Sequence, residues 1–130
     1  MKIQPDRLEG TNAINRHEIG RIWVNGQLHQ SSVLVPWRGT VKDWPAQGLR
    51  DLTVEHFEQV LELKPEVVIF GSGAQLRFIA PALSRPLIEC GIGMETMDTL
   101  AACRTYNVLA SEGRSVVAAL LLESEKASAT

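Results

Sequence analysis

Apolar and polar positions change rhythm near residue 50. Ahead of that point short apolar runs are broken by turn residues, the texture of small extended segments. Ile19-Gly20-Arg21-Ile22-Trp23-Val24 is followed by Asn25-Gly26, a dipeptide suited to a two-residue hairpin turn because both positions tolerate positive φ. Residues 27–30 make the return strand. Ser31-Ser32 interrupts, and Val33-Leu34-Val35 resumes an apolar strand that Pro36 stops by lacking an amide donor. The opening third therefore predicts a small antiparallel sheet. Residues 37–52 hold Trp37, Gly39, Trp44, Pro45 and Gly48 with neither a helical nor a strand period, and predict a long loop.

Beyond residue 50 the periods lengthen. Val54, Phe57, Val60 and Leu61 recur at helical spacing behind Thr53, predicting an N-cap and an amphipathic helix over 54–63 with Glu55, Glu58 and Glu62 on its solvated face. Lys64-Pro65 closes it. Val67-Val68-Ile69-Phe70 is apolar without alternation, as in an inner strand covered on both faces, and runs into Gly71-Ser72-Gly73. A short strand is expected over 75–79. A helix follows over 81–90, with Pro86 either kinking it or confining it to its own first turn. Residues 94–97 read as a second inner strand, Asp98-Thr99 opens a helix from 100 to about 111 ended by Gly113, and residues 116–122 are the last strand. Strands alternating with helices imply a mixed α/β sheet with helical cover, to which the N-terminal hairpin adds antiparallel strands. Residues 1–10 read as a loose lead-in, 11–122 as one α/β domain, and 123–130 as a flexible tail with nothing to bury.

Composition narrows the class. The 130 residues are 45% hydrophobic and 22% charged, a globular balance that excludes fibrous, coiled-coil and disordered chains. A net charge of -2, with the arginines scattered, is too weak a field for nucleic acid or anionic lipid. No apolar run approaches the roughly 20 residues that span a bilayer and no signal-peptide core follows Met1, so a cytoplasmic location without membrane insertion is expected. Cys90 and Cys103 fit no redox or zinc spacing and read as buried, inert thiols. His17, His29 and His56 are too dispersed to suggest a local ligand pair, and neither metal nor cofactor is expected.

Ligands of open α/β sheets bind beyond the carboxyl ends of the strands. If the two inner strands are parallel neighbours, Gly71, Ser72 and Gly73 share one rim with Asp98 and Thr99. The glycines either admit a ligand to the backbone or merely turn the chain, and the second reading is favoured. Leu76 stands where a dinucleotide fingerprint needs its third glycine, and the phosphate-loop and Gly-x-Ser-x-Gly motifs do not occur. No catalytic residue is assigned. Asp98 reads as a helix cap before it reads as a general base. Arg104, on the face of Leu100, Ala101, Asn107 and Val108, is expected to need a partner, either in a structural ion pair with Glu95 or as a clamp for an anion beside Ser72. Tyr106 reads as core with a hydrogen-bonded tip. Trp37 and Trp44, placed in a loop, are candidates for a protein-binding patch.

The block Gly91-Ile92-Gly93-Met94-Glu95-Thr96-Met97-Asp98-Thr99, continuing through Ala101-Ala102-Cys103-Arg104-Thr105-Tyr106-Asn107-Val108-Leu109 to Glu112-Gly113-Arg114, resembles a known family. It is the small domain-of-unknown-function family that includes mitochondrial complex I assembly factor three and the adipogenesis-associated domain-containing protein. The likeness extends over about residues 11–122, with Gly71-Ser72-Gly73 where the family usually has Gly-Thr-Gly. The resemblance implies a single three-layer α/β domain with a mixed sheet whose last strand is antiparallel to the inner strands. It implies no established enzyme activity, and its mitochondrial member binds protein partners during assembly of the respiratory NADH dehydrogenase.

Two functions are therefore expected. The first is a non-catalytic protein-interaction module with an unknown protein partner, similar to an assembly factor and compatible with a homodimer. The alternative is a binding protein or enzyme for a small anionic ligand, with Gly71, Ser72, Gly73, Asp98, Thr99 and Arg104 at the sheet rim.

Overall fold

The computed structural model describes residues 10–123; the expectations of a loose lead-in over 1–9 and a flexible tail over 124–130 lie outside them. The chain opens with β1 (Ile14–Glu18), β2 (Arg21–Val24) and β3 (Gln27–His29), an antiparallel meander in that order. Asn25 and Gly26 join β2 to β3 with φ of 53° and 84°, the hairpin turn expected from the dipeptide. The meander does not extend the main sheet as expected but forms a sheet of its own. The chain changes sheets at Ser31-Ser32. The buried Ser32 hydroxyl accepts the Leu122 amide at 3.0 Å, and β4 (Val33–Pro36), all four residues buried, enters the larger sheet.

That sheet has five strands in the order β5-β4-β8-β6-β7, where β5 is Lys42–Asp43, β6 Val67–Gly71, β7 Gly93–Met97 and β8 Val116–Leu120. The helices are α1 (Val54–Glu62), α2 (Arg85–Glu89) and α3 (Thr99–Ser111). β6, β7 and β8 are parallel, β5 points the same way, and only β4, antiparallel to both β5 and β8, runs against them. The last strand is therefore parallel to its inner neighbour β6, correcting the antiparallel expectation. Each of β6, β7 and β8 is reached from the one before through a helix, and such crossovers return the chain in the same direction. β7, expected to be an inner strand, is an edge.

The sheet separates two cores. On one face Val33, Val35, Ile69, Val116, Ala118 and Leu120 meet Ala102, Cys103, Tyr106 and Ala110 of α3 and Ile14, Ile22 and Val24 of the meander. On the other, Leu34, Val68, Phe70, Val117, Ala119 and Leu121 meet Phe57 and Val60 of α1, Leu87 of α2 and Trp44. This is a three-layer mixed α/β fold. Helix α3 also stitches the small sheet to the large one. The Asn107 side-chain amide brackets the Ile14 backbone, accepting from its N–H at 2.9 Å and donating to its carbonyl at 2.8 Å. The Tyr106 hydroxyl, wholly buried, lies 2.8 Å from the Asn12 carbonyl and 3.1 Å from that of Pro36.

Three segments differ from expectation. The loop over 37–52 contains β5 and a 3-10 turn at Leu49–Asp51, because the Trp44 amide donates to the Ser32 carbonyl at 2.9 Å and lays the chain along β4. Residues 75–79 form no strand, since that stretch bonds back to Ser72. Pro86 occupies the first turn of α2, which shortens the helix to five residues.

Trp44 is 1% exposed, donates its indole N–H to the His56 carbonyl at 3.0 Å and meets the rings of Phe57 and Phe70 edge-on at 5.7 and 6.2 Å. Truncation there empties the centre of one core. Trp44→Ala is expected to lower the unfolding free energy by about 3–5 kcal/mol in equilibrium denaturation, whereas Trp37→Ala, at a half-buried position, changes it by much less.

Candidate functional site

The parallel pairing of β6 with β7 brings the two predicted turns onto one lip of the sheet. The Ser72 amide donates to the Met97 carbonyl, and the Thr99 amide to the Gly73 carbonyl, both at 2.9 Å. The Thr99 hydroxyl accepts from the Gly73 amide and donates to the Leu121 carbonyl, each at 2.8 Å, tying β6, α3 and the end of β8 together. Gly71 is needed for this approach, since a Cβ there would lie 2.9 Å from the Thr99 hydroxyl and 3.0 Å from its Cα. Asp98 caps α3, its carboxylate accepting the Ala101 amide at 2.9 Å.

The lip is closed. Ser72 is fully buried, and the space above Gly73 and Thr99, roofed by Glu18, Ile19 and Gly20, is about 10 Å³. That is at the limit of a single water. The roof is the β1–β2 turn, where hydrogen bonds from Arg16 and then Arg21 hold the Glu18 carboxyl below its ordinary pKa.

Arg104 does not join the lip. The buried stripe of α3 runs through Thr99, Ala102, Cys103, Tyr106 and Ala110, and Arg104 sits one residue, or about 100°, past Cys103. It is exposed, as is Glu95 on the edge strand, and the two make no ion pair among the described residues. The expected structural pair is thereby corrected. The guanidinium beside Ser72 belongs instead to Arg77, which donates to the Ser72 carbonyl at 3.0 Å and pairs with Glu123. Glu123, expected to begin a frayed tail, is 6% exposed. Neither residue carried a sequence signal: Arg77 sits in a stretch without period, and nothing in the spacing couples it to a glutamate 46 positions away.

The tryptophans part company. Trp44, buried in the core, has no face to offer a partner, which removes it from the expected binding patch. Trp37 is half-buried, with the Arg38 guanidinium 4.5 Å above its ring. The exposed apolar residues lie elsewhere. In the irregular stretch after Gly73, Arg77 and Ile79 turn inward, while Leu76 is 53% and Phe78 73% exposed. An open groove of about 770 Å³ runs beside β5, lined by Gln30, Ser31, Asp43, Pro45, Gln47 and Asp51 among others. Asp51 there accepts the Gln47 amide at 2.8 Å and so serves the loop itself. Among the described residues no group of three histidine, cysteine or acidic side chains is placed to hold a metal ion.

The cysteines also differ from each other. Cys103 is buried, and burial pushes its thiol pKa up to about 12; Cys90, expected to be buried, is exposed at the end of α2. Iodoacetamide at pH 8 is expected to label Cys90 in the native protein and Cys103 only after unfolding, as read by peptide mass spectrometry. Because folding raises the Cys103 pKa, its contribution to stability is complete below pH 9 and is lost as pH rises towards 12. At the lip, Thr99→Val leaves the Gly73 amide and Leu121 carbonyl unpaired and is expected to cost roughly 2–4 kcal/mol in chemical denaturation. Thr99→Ser, which keeps the hydroxyl, should recover most of that.

Comparison with known proteins follows this geometry. A crystal structure of a protein from Bordetella parapertussis superposes with a TM-score of 0.84 at 37% identity, covering 90% of this chain and all of the other. The bovine NADH dehydrogenase [ubiquinone] 1 alpha subcomplex assembly factor 3 is 36% identical over 84 residues, 63% of this chain and 46% of its own length. The chain thus spans just under half of that relative. An uncharacterised protein of Rhodobacter capsulatus is 31% identical over 86% of both chains. No helix among the described residues is long and apolar enough to cross a membrane. The family described as protein of unknown function (DUF498/DUF598) matches residues 14–121, nearly the whole described fold, and the chain belongs to it.

Proposed function

We propose that this chain is a non-catalytic protein-interaction module that acts as an assembly factor, with the respiratory NADH dehydrogenase as its client. The observation that carries the reading is the stretch over 74–80. It is irregular and pairs with no strand, and it holds Leu76 and Phe78 in water while Arg77 and Ile79 anchor it beneath. A phenylalanine 73% exposed on a firmly held segment gains nothing for the isolated fold and fits a surface that is covered on binding. The bovine relative's name, an assembly factor for NADH dehydrogenase, supplies the class of partner. The half-buried Trp37 is a second contact in the same reading. A closed sheet lip with about 10 Å³ of space weighs against a small-molecule site over Gly73 and Thr99.

The test is made in the source cell. Deleting the protein should lower the amount of assembled NADH dehydrogenase on native gels, and wild-type protein should restore it. The double variant Leu76→Asp, Phe78→Asp should fail to restore it while melting within a few degrees of wild type, because both side chains lie outside the core. Unchanged assembly on deletion, or full restoration by the double variant, would overturn the proposal.

A further inference from the structure

A buried carboxylate needs a built environment, and Glu123 has one. Its side chain is 6% exposed, and Arg77 donates to its Oε1 through one guanidinium nitrogen. Two glycine backbones form the walls. A Cβ on Gly48 would lie 2.9 Å from Oε2, and one on Gly73, whose φ of +106° already disfavours any side chain, would collide with Oε1. The floor is Ser72, whose carbonyl accepts from the same Arg77 nitrogen at 3.0 Å and whose hydroxyl accepts the Arg77 amide at 3.0 Å. The result is a cradle of carboxylate size at the carboxyl end of an inner parallel strand, where α/β sheets commonly hold anions.

Glu123 fills this cradle without satisfying it. A guanidinium binds a carboxylate best through two parallel N–H bonds. Here Glu123 takes one, while the Arg77 Nε, also buried, has no hydrogen-bond partner among the described residues. A buried donor without an acceptor carries a desolvation penalty that a differently oriented carboxylate would remove. Nor does stability alone account for the pair: the carboxylate is buried but the Arg77 side chain is 37% exposed, and ion pairs reaching solvent add little net stability.

We propose that Gly48, Gly73, Ser72 and Arg77 form a carboxylate-binding site that the Glu123 side chain occupies from within and so gates. An external carboxylate enters when the Glu123 side chain rotates out, and it takes the fork of Arg77 that Glu123 leaves half used. Tethering gives Glu123 the advantage of a high local concentration, so the intact protein binds free carboxylates weakly. The site shares Arg77 with the stretch bearing Leu76 and Phe78 but faces inward from it, and it does not depend on the function of that stretch.

The experiment reads melting temperature against sodium acetate, with sodium chloride at equal ionic strength as reference. Glu123→Ala should melt below wild type and recover saturably in acetate but not in chloride, since a ligand bound only by the folded state raises the melting temperature. Glu123→Gln, which keeps the volume of the side chain, covers the case in which the alanine variant does not fold. Arg77→Met in the same background should abolish the acetate effect, and wild type should need at least tenfold more acetate for an equal rise. A parallel titration with the α-amide of N-acetylglutamate separates the sources. A response to both probes assigns a site open to free carboxylates; a response to the peptide-like probe alone assigns an acidic side chain of a partner protein. Equal effects of acetate and chloride on both Glu123 variants, with no response to the peptide-like probe, would overturn the proposal. So would a rise that persists without Arg77, or a wild-type response as strong as that of the variants.

Discussion

Strand β8 is the constraint on which the rest of the molecule depends. All five of its residues are buried, and it lies between β4, which runs against it, and β6, which runs with it. Its side chains alternate between the two cores, Val116, Ala118 and Leu120 into one and Val117 and Ala119 into the other. Successive strand residues point to opposite faces, so a slip of one register position would exchange the two cores wholesale. The alanines at its centre keep it thin enough for α3 to approach on one side and the aromatic group of Trp44, Phe57 and Phe70 to fill the other.

From the carboxyl end of β8 the same strand organises the lip. Leu121 continues into the Thr99 hydroxyl, Leu122 into Ser32 and Glu123 into Arg77, so three consecutive residues bind three different segments. The lip of a parallel sheet is usually where a fold of this type is open. Here it is closed by the molecule's own groups: the β1–β2 turn above Thr99, and a carboxylate against two glycines above Ser72. Beside it, facing outward, runs the short stretch bearing Leu76 and Phe78, held from beneath by the serine that anchors Arg77. Under the proposed function, that apolar, irregular outer segment on a firm scaffold is the surface a partner protein covers.

Much of this was legible in local chemistry. Asn25-Gly26 specified its hairpin because both residues accept positive φ, Thr53 and Asp98 marked helix starts, and the unbroken apolar run of β6 announced a strand covered twice. The shared lip of Ser72 and Thr99 followed from pairing two parallel strands. Arg104 departs from its expected inward face because the buried stripe of α3 is centred on Cys103 and Tyr106, and a helix turns about 100° between neighbours. The neighbours of Trp44 lack a period and so predict a loop, although the indole is the heart of a core that other elements build around it. Arg77 and Glu123 were invisible, since an ion pair across 46 residues leaves no local trace.

The amino-acid order alone determined the kinds of elements, most of their limits and the α/β class, because these depend on spacing, caps and turn residues within a few positions of one another. Only the tertiary structure decided that the opening meander stands apart from the main sheet, that the last strand runs with β6 and against β4, and that Glu123 closes the lip. Those outcomes rest on which apolar faces meet and which buried polar groups find partners across the whole chain. Such matches are settled by packing in three dimensions, where residues remote in order become neighbours.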